Sequence, residues 1–160
     1  MNRQPILAGE LVEVRPLRAN DFDELCQSAA DPLLWEQHPE PDRWRPHVFR
    51  AYFEDHLSSG GALAVVDRAT GALIGATRYD NLDAEQSEVE IGWTFLARPY
   101  WGGAYNADLK RIVLEHAFRS VDRVVFLVGE QNLRSRRAVE KLGAAETGTR
   151  RGQVMYELRR

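Results

Sequence analysis

The chain holds a single cysteine, Cys26, and only two lysines, Lys110 and Lys141, among its 160 residues. One cysteine excludes an internal disulfide and a cysteine-based metal cluster, and no metal site is expected. No histidine stands near Cys26 in an activating pattern, so it reads as a buried thiol in a helix. Also missing are the ~20 consecutive apolar residues that a membrane-spanning helix needs. Val124 to Val128, among the longest apolar runs, reads as a buried strand. The opening Met-Asn-Arg-Gln-Pro-Ile-Leu lacks the apolar core of a secretory signal. There is no basic tail or block, and a net charge of −3 argues against nucleic acid as the main partner. The expectation is one cytoplasmic domain over residues 1–160, an enzyme or a binding protein. Arginine carries nearly all the positive charge, which reads as surface composition rather than function.

The patterning that is present alternates between strand and helix. Leu11 to Leu17 alternates as a strand, and Asp21 to Ala30 reads as a short helix capped by Asn20. Residues 31–46 are irregular, with Pro32, Pro39, Pro41 and Pro46 set among Trp35, His38 and Trp44. A helix over His47 to Leu57 precedes two strands, Ala62 to Val66 and Ala72 to Asp80, joined by a hairpin turn. Glu88 to Leu96 alternates as a third, with Val89, Ile91, Trp93 and Phe95 on one face and Glu88, Glu90, Gly92 and Thr94 on the other. Helices over Ala104 to Ser120 and Asn132 to Leu142 flank the strand Val124 to Val128, and the tail from Ala144 suggests two strands turning at Arg151-Gly152. This order predicts an α+β fold: a mostly antiparallel, mixed, twisted sheet of six to seven strands with about four helices and one parallel crossover. His116 falls on the apolar face of its helix and reads as a core histidine.

Leu96-Ala-Arg-Pro-Tyr-Trp-Gly-Gly-Ala-Tyr-Asn106 is the most informative stretch. Gly102, Gly103 and Ala104 let the backbone approach a ligand, and the helix that follows brings its positive dipole end to the same place. The natural guest is a phosphate, which points to nucleotide-like cofactors, coenzyme A among them. Tyr105 and Asn106 either touch that guest or pack and cap the helix.

Three ordered motifs are similar to those of the GNAT acetyltransferases, specifically the ribosomal-protein N-terminal acetyltransferase-like (RimJ/RimL-type) branch. Gly102-Gly103-Ala104 resembles the end of the family's Gln/Arg-x-x-Gly-x-Gly/Ala loop, with Pro99 where the Gln or Arg would stand and Arg98 one residue early. Asn132-Leu-Arg-Ser135 through Lys141-Leu-Gly143 resembles the Asn-x-x-Ser…Lys-Leu-Gly signature. Glu90-Ile91-Gly92-Trp93 resembles the Glu-Ile-Gly-aromatic strand, and Trp101-Gly102 the start of the branch's loop. The resemblance spans essentially the whole chain.

It implies a GNAT fold whose strands part at the cofactor site, with acetyl-coenzyme A as co-substrate. It also implies direct acetyl transfer to a primary amine, a protein N-terminus or a small molecule, through a tetrahedral intermediate. Trp101 to Asn106 would hold the diphosphate, and the backbone of Phe95 and Leu96 would bond the pantetheine arm. Asn132 is either a cofactor contact or a helix cap, and Ser135 either a partner of the thioester region or of the helix start. Arg134, Arg136 and Arg137 either meet phosphates or form a solvated face. Glu90 is the candidate base, with Glu88 on the same face as its understudy, and the two carboxylates together would attract the cationic amine; the bland reading is a solvent-facing strand carboxylate. Trp35 and His38, with Trp44, would wall the acceptor side or pack a loop. Val139 stands where many relatives carry a Tyr acid, leaving Ser135 or water to protonate the thiolate. The short turn at Arg150 to Gln153 would leave the acceptor side open, or let a partner subunit complete it. The closing strand pair is compatible with a homodimer. The rival reading is an acyl-coenzyme A-binding regulatory module without turnover.

Overall fold

The computed structural model describes residues 1–160. In chain order it forms β1 (Leu7–Ala8), β2 (Val12–Pro16), α1 (Phe22–Ala29), α2 (Pro32–Trp35), α3 (Pro46–Ser58), β3 (Ala62–Asp67), β4 (Leu73–Asp83) and β5 (Glu88–Leu96). There follow α4 (Ala104–Ala117), β6 (Arg123–Val128), α5 (Leu133–Glu140), β7 (Ala145–Arg150) and β8 (Gln153–Arg159). All eight strands join one sheet in the order β1-β2-β3-β4-β5-β6-β8-β7, antiparallel except for β5 with β6. No helix is long and apolar enough to cross a membrane.

Two elements exceed the expectation. β1 is two residues held by pairing with β2, too short to show alternation. α2 is one turn inside the proline-rich segment: Pro32 has no N–H to lose at a helix start, and the Asp31 carboxylate accepts the Leu33 N–H at 3.0 Å. Asn20 does not cap α1. Asp21 organises that corner instead, accepting the Arg18 N–H at 2.8 Å and a two-pronged Arg15 guanidinium at 2.9 and 2.8 Å.

Apolar side chains cover both faces of the sheet. Leu109, Ile112 and Val113 of α4 pack with Val12, Val65, Ile74, Val89, Ile91 and Phe126 on one side. Leu25 of α1 and Phe49 and Phe53 of α3 pack with Ala64, Ala76 and Phe95 on the other. The predicted alternation of β5 therefore fails partway. Gly92 pairs with Arg78 but Phe95 pairs with Ala76, so Trp93 and Thr94 together oppose Thr77. Trp93 takes φ +51° at this bulge. One extra residue exchanges the faces: Val89 and Ile91 point toward α4, whereas Phe95 joins the α3 side and Leu96 the α4 side. Tyr52 donates to the Trp93 carbonyl at 2.7 Å, and the Arg78 guanidinium lies 4.0 Å from the Trp93 ring, holding the unusual backbone in place.

β5 and β6 pair only at Glu88–Arg123, Val89–Val124 and Glu90–Val125, then diverge. The crossover between them is α4, which Asp108 ties to the far edge of the sheet. Its buried carboxylate accepts the N–H groups of Glu10, Leu11 and Val12 at 3.2, 2.8 and 3.1 Å, and Arg111 at 2.8 Å. Burial opposes its charge, but the Leu11 N–H, Arg111 and the neighbouring N–H groups outweigh that and hold the carboxyl below its ordinary range. A side chain at Gly9 would run into this carboxylate. Asp108→Ala leaves three N–H donors without their acceptor and is expected to cost about 3 kcal/mol. The check is a lower urea midpoint at unchanged slope, with Asp108→Asn losing less.

Candidate active site

The turn before α4 has the geometry of an anion cradle. Gly102 and Gly103 take φ +111° and +108°, a region that side chains disfavour, and open space lies where a Cβ would stand. The first helical bond of this end runs from the Ala107 N–H to the Gly103 carbonyl. The N–H groups of Gly102, Gly103, Ala104, Tyr105 and Asn106 donate to no other group of the chain. Tyr105 turns aside: it packs edge-on against Tyr100 at 5.0 Å and donates to Asp67 at 3.3 Å, so its side chain serves packing. Asn106 is half-buried. Arg98, the near match to the family's basic residue, is paired with Asp31.

Beside the cradle lies the gap between β5 and β6. The Phe95 carbonyl faces Gly75 of β4, and the Phe95 ring is core. The Leu96 carbonyl accepts Trp101 Nε1 at 2.8 Å. Since the Ala97 N–H turns to Ile74 of β4, alternation leaves the Leu96 N–H on the open side. Trp101 also reaches across the gap, with the Arg134 guanidinium 4.1 Å from its ring. Arg134 further meets Glu36 at 3.4 Å, and Gln37 accepts the Arg134 N–H at 3.1 Å.

The start of α5 is satisfied internally. Asn132 Oδ1 accepts the Ser135 N–H at 3.4 Å, a capping contact, and Ser135 is half-buried just inside. Arg136 is structural: it donates to Tyr156 Oη at 2.9 Å, the Glu130 carbonyl at 3.1 Å and Glu146 at 3.0 Å. Of the three arginines on this helix, Arg134 is the one in contact with the turn.

Glu88 and Glu90 are not solvent-facing; they are 4% and 3% exposed. Their side chains point to the α3 face, opposite Val89 and Ile91, and arginines cover them. Glu88 binds Arg150 at 2.6 Å and Arg123 at 2.7 Å. Glu90 accepts Asn81 Nδ2 at 2.6 Å and pairs with Arg151. The β7–β8 turn, expected to leave this side open, lays Arg150 and Arg151 over the carboxylates. The turn was visible in the sequence, but its partners are sixty residues away and carry no local signal. Asn81, at φ +46°, was missed for the same reason.

Trp35 is core rather than wall: it is 3% exposed, donates to the Ala29 carbonyl and packs against Phe95. His38 stands at its edge, accepting the Glu40 N–H through Nδ1 at 2.9 Å with Arg43 3.3 Å from Nε2. Burial, then the Arg43 charge, lower its pKa to about 4, so it is neutral. Glu40, Arg43, Tyr52, Asp55 and Trp93 line a cavity of about 300 Å³ on this face. Asp55 binds Arg78 at 2.8 Å, and Arg78 binds Asp80 in turn, which continues the charged string to Asn81 and Glu90. The core histidine is His56, fully buried; His116 is half-buried and meets the Asn2 carbonyl at 2.7 Å. No group of His, Cys, Asp and Glu is arranged to hold a metal ion.

The family model described as Acetyltransferase (GNAT) domain matches residues 12–145. A GCN5-related N-acetyltransferase from Brucella melitensis has a TM-score of 0.82 at 19% identity, covering 98% of this chain and 79% of that one. The acetyltransferase from Agrobacterium tumefaciens str. C58 gives 0.76 at 22%, covering 98% and 95%. The ribosomal-protein-S5-alanine acetyltransferase from Vibrio fischeri gives 0.69 at 14%, covering 98% and 97%. At these identities the likeness to the three structures is one of fold. No curated protein matches the chain.

His56 makes a pH-dependent contribution to stability. It stacks on Tyr52 at 5.0 Å, and neither ring nitrogen has a partner. Burial, then Arg78 and Arg43, lower its pKa to about 3. The unfolded chain takes up this proton below its ordinary pKa near 6.5, and the folded chain does not until about pH 3. Stability therefore falls as the pH drops through that window. Between pH 7 and pH 5 this one residue accounts for about 2 kcal/mol. Urea titrations at the two pH values should show that difference shrinking by this amount in His56→Phe.

Proposed function

The chain belongs to the GNAT acetyltransferase family, and we propose that it moves the acetyl group of acetyl-coenzyme A directly to a primary amine. The acceptor is a protein N-terminus or a small-molecule amine. The observation that carries this reading is the cluster of five unpartnered N–H groups at the start of α4, set beside the gap between β5 and β6. Two consecutive glycines at positive φ aim those donors outward, and the helix dipole adds to their field. The residues fit a diphosphate there and an extended arm along the gap, where the Leu96 N–H faces outward. Acetyl-coenzyme A supplies the acetyl group as an activated thioester.

On the opposite face the chain offers the acceptor a buried negative charge. Glu90 is nearly inaccessible to water, while the side chain of its partner Arg151 is half-exposed. The guanidinium can be rehydrated and the carboxylate cannot, so Arg151 can be exchanged for another cation but not simply lost. An incoming alkylammonium takes the place of Arg151, and Glu90 then accepts its proton so that the neutral amine can attack. Glu88, held by two arginines, sets the local charge without being free to act as base. Ser135, on the first turn of α5, is the hydroxyl-bearing residue of the signature left to serve the departing thiolate, because Val139 is core.

Calorimetry with acetyl-coenzyme A tests the cofactor half. The parent is expected to bind in the micromolar range and Gly102→Asp to lose binding, since the new carboxylate would sit in the cradle. Absence of binding by the parent would sink the enzyme reading. Glu90→Gln tests the other half: binding is retained and acetylation of an amine panel falls by about a hundredfold. Unchanged turnover in that variant removes Glu90 from the chemistry. Binding without turnover of any amine by the parent favours the regulatory module.

A further inference from the structure

Lys110 is a buried amine that nothing in the site described so far uses. It lies on the sheet-facing side of α4 and is 5% exposed. Its Nζ donates to Thr94 Oγ1 at 3.1 Å and stands 5.5 Å from the centre of the Phe126 ring. No carboxylate pairs with it, and Thr94 is its one hydrogen-bond partner in the chain. Thr94 has its own hydrogen to place, against Thr77 Oγ1 at 2.9 Å or the Gly92 carbonyl at 3.3 Å.

The position of these contacts matters more than their number. Thr94 belongs to the β5 bulge and Phe126 to β6, and both lie beyond Glu90–Val125, the last pair the strands make. The ammonium thus spans the floor of the gap from the α4 side. An amine buried with one hydroxyl for company is costly, and two of its N–H bonds lack acceptors. Asp108 and Arg111, its charged neighbours on α4, are turned to the β1–β2 edge and to each other. A ligand lying in the opening between the strands would bring a further oxygen to the Thr94–Phe126 side of Lys110.

We propose that Lys110 is a positioning residue for the acyl-pantetheine arm, donating from the floor of the β5–β6 gap to a carbonyl oxygen of that arm. The proposal rests on the cofactor reading above and extends it to a residue that none of the three sequence motifs contains. It assigns the α4 helix two contacts with one ligand. The helix start meets the phosphates, and Lys110, further along the helix, meets the arm. The bulge brings the second about, because the extra residue turns Thr94 toward α4. Burial alone lowers the Lys110 pKa to about 8, which a new oxygen acceptor would reverse.

Two lysines make the test direct. In the full chain labelled with 13Cε-lysine, Lys110 and Lys141 give two signals, assigned with Lys110→Met. Each is titrated with pH alone and with saturating adenosine 3′,5′-bisphosphate, coenzyme A or acetyl-coenzyme A. The bisphosphate carries the nucleotide but no arm. The Lys110 midpoint is expected to rise by about one pH unit or more with acetyl-coenzyme A and to stay put with the bisphosphate. By calorimetry, Lys110→Met should bind acetyl-coenzyme A about tenfold more weakly and the bisphosphate as the parent does. Acetyl-coenzyme A bound by the parent with an unmoved or lowered Lys110 midpoint overturns the proposal and leaves the cofactor reading intact. Failure of the parent to bind any of the three ligands overturns both.

Discussion

The parting of β5 and β6 is the constraint on which the rest of the molecule depends. Two parallel strands that stayed paired along their length would bury their backbone groups in a continuous ladder and offer a ligand nothing. Here the ladder stops after Val125, and the bulge at Trp93 and Thr94 bends β5 from its neighbour. Everything proposed for the cofactor borders that opening: the glycine turn at its mouth, the Leu96 N–H along it, and Lys110 beneath. The bulge carries backbone strain at Trp93, and the chain holds it with Tyr52 and Arg78 from the α3 side. The two faces of the sheet are thereby coupled at one residue.

Arginine abundance has a structural counterpart. Buried carboxylates on the α3 face and at the first corner are held by planar forks: Arg15 on Asp21, Arg123 and Arg150 on Glu88, Arg151 on Glu90. A guanidinium can satisfy two carboxylate oxygens at once while spreading its charge, which an ammonium cannot. Composition alone suggested only a surface preference. The pairs instead hold the β7–β8 turn over the sheet, with the carboxylates buried and the guanidinium of Arg151 half-exposed. Lys110 is the exception, an ammonium in a site with no carboxylate, where a point donor for a neutral oxygen suits better than a fork.

Much of the architecture was legible in the residues because local rules governed it. The run from Glu88 to Leu96, the hairpin of β3 and β4, and the helix after Gly103 followed from alternation, turn residues and helical spacing. The conformation of the glycine turn was legible for the same reason: positive φ, small side chains and a helix start are all properties of neighbouring residues. Local rules failed where a long-range partner decided. The faces of β5 were misassigned past Gly92, since the choice between an even ladder and a bulge is made by β4 and α3. Trp35 looked like a wall residue because a tryptophan among prolines has no period to reveal its burial. Asn20 looked like a cap, but it lies inside a 3-10 turn over Ala19–Asp21, a short-range competitor to capping that its residue type does not signal.

The sequence by itself determined most of the element order, the glycine turn before α4 and the family, since each is encoded within a few consecutive residues. The tertiary structure decided which groups are free to act. It committed Glu88 to two arginines, left Glu90 with one partner that can depart, satisfied Asn132 within its own helix start, and placed Lys110 under the gap. The physical reason is that the freedom of a charged or polar group depends on what surrounds it. For Glu88, Glu90 and Lys110 those surroundings come from segments that folding alone brings together.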